Sequence, residues 1–114
     1  MGIEEFYSEI GSSCLEVAGR LGGADVVLHF VLRFKQDGSF ETLKAALKNG
    51  DTDTAFRAAH TLKGVAANLG FTALYNAAAL ITEALRNGDI AGAKGLFPSV
   101  AEKYGIVLKA VQKL

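Results

Sequence analysis

The sequence predicts an all-α fold, an antiparallel four-helix bundle with additional N-terminal helices. Apolar residues recur at helical spacing through most of the 114 residues, half of which are hydrophobic. Alanine and leucine, both good helix formers, dominate the longer segments, and alternating β-branched stretches are few. Glycine-containing turn sequences punctuate the chain at intervals that leave room for helices and short connections.

The first helix is predicted over residues 3–9 and is interrupted by Gly11-Ser12-Ser13. A second short helix runs from about 13 to 21, before the Gly22-Gly23 break. Residues 24–35 carry Val27, Leu28, Val31, Leu32 and Phe34, a strongly apolar helical pattern that predicts a largely buried segment. After Asp37-Gly38, Ser39 is the expected N-cap of a helix whose apolar face is Phe40, Leu43, Ala46 and Leu47. Asn49-Gly50 suits its end, and Asp51 or Thr52 caps the next helix, which runs to about Leu69. Gly70 stops that helix and Thr72 starts another, with Leu74, Ala77, Ala78, Ile81 and Leu85 as its buried stripe. Asn87-Gly88-Asp89 repeats the stop-and-cap pattern. In the last helix, Gly92, Gly95, Pro98 and Gly105 predict a bend or a division.

Short connections favour antiparallel neighbours, so the four-helix bundle is assigned to residues 24–35, 39–49, 52–69 and 72–86. The final segment is the alternative fourth member. A chain of this length builds one core, so residues 1–114 are read as a single domain.

Lys plus Arg and Asp plus Glu number 12 each, and this balance gives no electrostatic reason to expect nucleic acid. The single cysteine, Cys14, excludes an internal disulfide and a cysteine-rich zinc site, and fits a reducing cytoplasm. The start, Met1-Gly2-Ile3-Glu4-Glu5, has no secretion-signal pattern, and no apolar run suggests direct membrane insertion. The methionine start and the lack of a linker-like tail favour a freestanding protein over a segment of a sensor kinase.

The helix over residues 52–69 carries the chemistry. A rotation of about 100° per residue gathers Ala55, Ala58, Leu62, Val65, Ala66 and Leu69 on a core side. Asp53, Arg57, His60, Lys63, Gly64 and Ala67 gather opposite, with Phe56 at the margin. His60 therefore points outward. Gly64, expensive in a helix interior by about 1 kcal/mol relative to alanine, leaves open space beside the imidazole, and Ala67 extends that shallow floor. A neutral imidazole is a competent nucleophile toward a phosphoryl group, and Lys63 supplies positive charge to the phosphoryl oxygens. Arg57 widens the positive field or meets an acidic partner surface. The chain has no phosphate-binding loop of nucleotide-dependent enzymes and no convincing magnesium site, so donor, acceptor and magnesium are expected on another protein.

The run Ala59-His60-Thr61-Leu62-Lys63-Gly64-Val65-Ala66-Ala67-Asn68-Leu69-Gly70 closely resembles the central motif of histidine-containing phosphotransfer (HPt) domains. The resemblance extends over roughly residues 15–112 and leaves 1–14 as an N-terminal helical extension. It takes in Gly22-Gly23, the helix from Val27 to Phe34, Leu43-Lys44-Ala45-Ala46-Leu47 and Asn49-Gly50-Asp51. It implies a monomeric helical bundle relaying phosphoryl groups between a histidine and the aspartate of response-regulator receiver domains, with a hybrid sensor histidine kinase as a further possible partner. Mg2+ would sit on the receiver, and the chain itself would hold no cofactor or metal. His60 would be the phosphorylated residue, Lys63 would position the phosphoryl group and Gly64 would give access. Gly70 would make the turn, and Phe56, Arg57 and Ala67 would face the partner. Two departures bear on partner preference. Val65 stands where many members carry a small hydroxyl residue, and Thr82-Glu83 occupies the neighbourhood where some place a glutamine.

Other readings compete with this one. The same surface would serve a phosphorylation-independent adaptor, and a purely structural bundle would bind no receiver. His29 reads as structural or incidental, Cys14 as a packing residue, Tyr7, Tyr75 and Tyr104 as packing residues with polar hydroxyls, and Asp51 and Asp53 as cap and first-turn charges. With only His29 and His60 as histidines, a zinc enzyme has no ligand motif.

Overall fold

Each helix begins and ends at the turn chemistry that the sequence supplies. The computed structural model describes residues Met1–Leu114. It contains α1 (Ile3–Glu9), α2 (Cys14–Leu21), α3 (Ala24–Arg33), a 3₁₀ turn (Phe34–Gln36), α4 (Ser39–Lys48), α5 (Thr52–Leu69), α6 (Thr72–Arg86) and α7 (Ile90–Gln112). Helices α4 to α7 are joined by tight turns and pack α4 on α5, α5 on α6, α6 on α7 and α7 back on α4. The short turns force an up-down-up-down bundle. The 23 residues of α7 account for most of the longest dimension of the molecule, 39 Å.

Bundle membership corrects the first sequence assignment: α7 is the fourth member, and α3 packs beside the bundle. The last helix is neither divided nor terminated at Pro98. Proline removes one backbone bond and costs about 3 kcal/mol in a helix interior. Burial of Ala93, Val100, Val107, Ala110 and Val111 along one side of α7 offsets that loss.

Helix α3 is also less buried than its composition suggests. Val27, Val31 and Phe34 turn inward, whereas Val26, Phe30 and Leu32 are 37%, 39% and 40% exposed. With apolar residues around much of the helix, only the stripe meeting the bundle is covered. Ser39 is the first residue of α4 rather than its cap; Gly38 holds the cap position. The Asp37 carboxylate accepts the Ser39 backbone N–H at 2.9 Å and also takes the Ser39 hydroxyl.

A seam of aromatic rings ties the N-terminal helices to the bundle. Phe6 and Tyr7 of α1 meet Phe71, at centroid distances of 5.9 and 6.2 Å. Phe71 meets Phe34 edge-on at 5.2 Å. Phe34 then meets Tyr104 of α7, which stacks on Phe40 of α4 at 4.1 Å. The Tyr7 hydroxyl donates to the Leu69 carbonyl at 2.7 Å, and burial pushes its pKa well above the ordinary tyrosine range, so it remains a donor. Tyr75, by contrast, is exposed. No helix is long and apolar enough to cross a membrane.

The Tyr7–Leu69 bond joins positions 62 residues apart, at the end of α5. Tyr7→Phe keeps the ring contacts but leaves a buried carbonyl without its donor. Urea denaturation is expected to show a loss of about 1–3 kcal/mol, and an unchanged midpoint would refute the contribution of this bond.

Candidate functional site

Helix α5 is fixed at both ends by groups outside its own backbone ladder. At its start the Asp51 carboxylate accepts the Thr54 N–H at 3.1 Å, and hydrogen bonding to Thr54 holds the Asp51 carboxyl below the usual range. At its end Gly70 adopts a left-handed conformation, φ 69°, so that the N–H groups of Gly70 and Phe71 reach the carbonyls of Ala67 and Ala66. Gly70 is required for a second reason: a Cβ there would collide with Val17 Cγ2 of α2. The Arg20 guanidinium of α2 donates to the Ala67 carbonyl at 3.4 Å, and Tyr7 takes that of Leu69.

Between these anchors the helix has two unlike sides. Ala55, Ala58, Ala59, Leu62, Ala66 and Leu69 are buried, so small side chains let α4 and α6 approach closely. Val65, expected in the core, is only half-buried at its edge. His60, Gly64, Ala67, Asp53 and Arg57 are exposed, and Lys63 and Phe56 are half-buried. The expected constellation therefore shares one open face.

Individual side chains differ in what they are free to do. Neither His60 nor Lys63 takes part in any of the four ion pairs of the chain. Arg57 is turned back one helical turn to Asp53, at 2.7 Å, so its charge is locally matched and not directed at the imidazole. A Cβ built at Gly64 meets nothing within 4 Å. No intrachain contact and no left-handed backbone requires glycine there.

Phe56 is placed as a wall beside the imidazole. The two rings lie at an interplanar angle of 6° with centroids 6.0 Å apart. The Arg86 guanidinium, from the last turn of α6, lies 5.2 Å from the Phe56 centroid, and its Nε donates to Glu83 at 3.1 Å. Arg86 was not singled out in the sequence. Its signal was the antiparallel pairing itself, which brings the end of α6 to the start of α5. Thr82 is fully buried and donates to its own helix at Ala78, 2.6 Å away, while Glu83 is engaged with Arg86. Neither offers the glutamine-like contact considered for that neighbourhood. His29 is exposed on α3, against Phe30, and no group of three or more His, Cys, Asp or Glu side chains gathers in a metal-binding arrangement.

The family model described as the Hpt domain matches residues 35–112, more than half of the chain. The chain belongs to the Hpt domain family. No curated protein and no solved structure matches it. Membership makes this Hpt domain a participant in histidine phosphotransfer within phosphorelays, interacting with response regulators. The all-helical bundle agrees with that family fold.

The open space at Gly64 predicts opposite effects on stability and function. Gly64→Ala is expected to stabilise the free Hpt domain by about 1 kcal/mol in urea denaturation while slowing phosphoryl transfer. A destabilised variant, or a stabilised one that transfers at the wild-type rate, would contradict the reading of Gly64 as clearance for a partner.

Proposed function

We propose that His60 is the phosphoacceptor and phosphodonor of this Hpt domain. The observation that carries the reading is that His60 is the sole histidine within the family-matched residues 35–112, and it lies exposed beside the unfilled space at Gly64. His29, the other histidine, precedes that range.

The chemistry follows from the groups on this face. A lone pair on one imidazole nitrogen forms the N–P bond as the acyl-phosphate P–O bond of a receiver aspartate breaks. The carboxylate leaves with the bonding electrons, and the other ring nitrogen holds its proton until solvent removes it. Transfer onward reverses these bond changes. Lys63, one turn along the helix and free of a carboxylate partner, lends positive charge to the phosphoryl oxygens. Gly64 and Ala67 give the receiver clearance, while Phe56 and Arg57 border the docking face.

The domain draws phosphoryl groups from a partner and not from ATP, and the Mg2+ that assists transfer belongs to the receiver. A hybrid sensor kinase is a further fitting donor. The carrier is a monomer in this reading, and the lone Cys14 suits a reducing cytoplasm.

Incubation with a phosphorylated receiver and Mg2+ tests the assignment. His60→Gln should abolish label on the domain while leaving its unfolding free energy within about 0.5 kcal/mol, because the side chain is exposed. Lys63→Ala should retain the fold and slow transfer by about 10-fold or more, the loss expected for one charge-assisted contact. Undiminished label in the His60 variant would refute the site, and unchanged kinetics would refute the role of Lys63.

A further inference from the structure

The imidazole needs more than exposure to react well. A surface side chain samples several rotamers, and only some aim a ring nitrogen at an incoming phosphorus. Two features of α5 restrict His60. Side chains on a helix lean toward its N-terminus, so His60 leans over the residue four positions earlier, which is Phe56. That residue is half-buried and aromatic, and its ring lies nearly parallel to the imidazole.

The plane of a phenyl ring is itself weakly determined, since its outer torsion has a broad energy well. Here a second helix supplies the constraint. Arg86 places its planar guanidinium over the Phe56 ring, and Glu83 holds the Arg86 Nε. The contact is a cation–π arrangement, which favours one ring orientation. We propose that Phe56 and Arg86 are positioning residues for phosphotransfer: Arg86, held by Glu83, sets the Phe56 ring, which fixes the orientation of the His60 imidazole.

A direct electrostatic role for Arg86 is the competing explanation. The Glu83 carboxylate matches its charge at close range, and both side chains are half or more exposed to screening solvent. Such a pair projects little field toward a phosphoryl group on His60. What it transmits through Phe56 is geometry. This also gives the turn that follows α6 a link to the reactive face, because Arg86 is the last residue of that helix.

This inference rests on His60 as the phosphoacceptor. Phosphoramidate is a suitable probe because it is small and needs no receiver docking. The His60 nitrogen forms the N–P bond, the P–NH2 bond breaks, and ammonia leaves after taking up a proton. Labelling rates at His60 would be compared for the wild type, Phe56→Leu, Phe56→Tyr, Arg86→Met and Arg86→Lys. Imidazole proton shifts would be recorded by NMR in the same samples.

Phe56→Leu and Arg86→Met are expected to slow labelling about two- to fivefold, the range of an exposed cation–π contact. Phe56→Tyr and Arg86→Lys should return most of the rate. The His60 ring protons should lose their aromatic ring-current shift in Phe56→Leu, which a purely structural role elsewhere in α5 would not cause. Wild-type rates in both Phe56→Leu and Arg86→Met would overturn the proposal. Should Phe56→Leu unfold, the exposed Arg86→Met variant decides alone. A wild-type chain that takes no label at His60 removes the phosphoacceptor reading itself, whereas a labelled wild type with equally fast variants removes only the positioning role.

Discussion

Helix α5 is packed on one side and anchored at both ends, and this arrangement leaves its other side free of structural duty. Asp51 satisfies its first turn, while Gly70, Tyr7 and Arg20 take up the carbonyls of its last turn. Alanines on the buried side bring α4 and α6 close without large side chains wrapping around the helix. An imidazole can then stand on a rigid element, and no neighbouring helix has to cover it. Rigidity matters because a displaced nucleophile loses rate steeply even when its chemistry is intact.

The N-terminal helices serve this arrangement from outside the family-matched residues. The aromatic seam from Phe6 and Tyr7 through Phe71 and Phe34 to Tyr104 and Phe40 holds them against the end of the bundle. Val17 sits so close to Gly70 that the glycine turn and the seat of α2 are a single packing solution. At Gly64 glycine weakens the helix, and nothing in the folded chain fills the space beside it.

Much of α5 was legible because its information is local. The helical period separated Ala55, Ala58, Leu62 and Ala66 from His60 and Gly64, while Asp51 and Gly70 marked the ends. Helix α3 was harder because apolar residues occupy most of its circumference, and its exposure depends on which neighbours arrive. The Pro98 and glycine pattern of α7 argued for interruption, yet tertiary burial kept it continuous. The contacts of Tyr7 with Leu69 and Arg86 with Phe56 join separate helices and carry no local signature. At the site, sequence placed His60, Lys63, Gly64 and Ala67 on one face, but it could not show that Arg57 turns to Asp53 or that Phe56 lies flat beside His60.

The central claim concerns where the phosphoryl group resides. Tandem mass spectrometry of the full chain at neutral pH, after exposure to a phosphorylated receiver domain and Mg2+, tests it most directly. The account predicts a single phosphoryl group on His60, lost in acid and retained in alkali as a phosphorus–nitrogen bond requires. Label on His29, label on an acid-stable hydroxyl residue, or no label from receivers that transfer to other Hpt domains would contradict it.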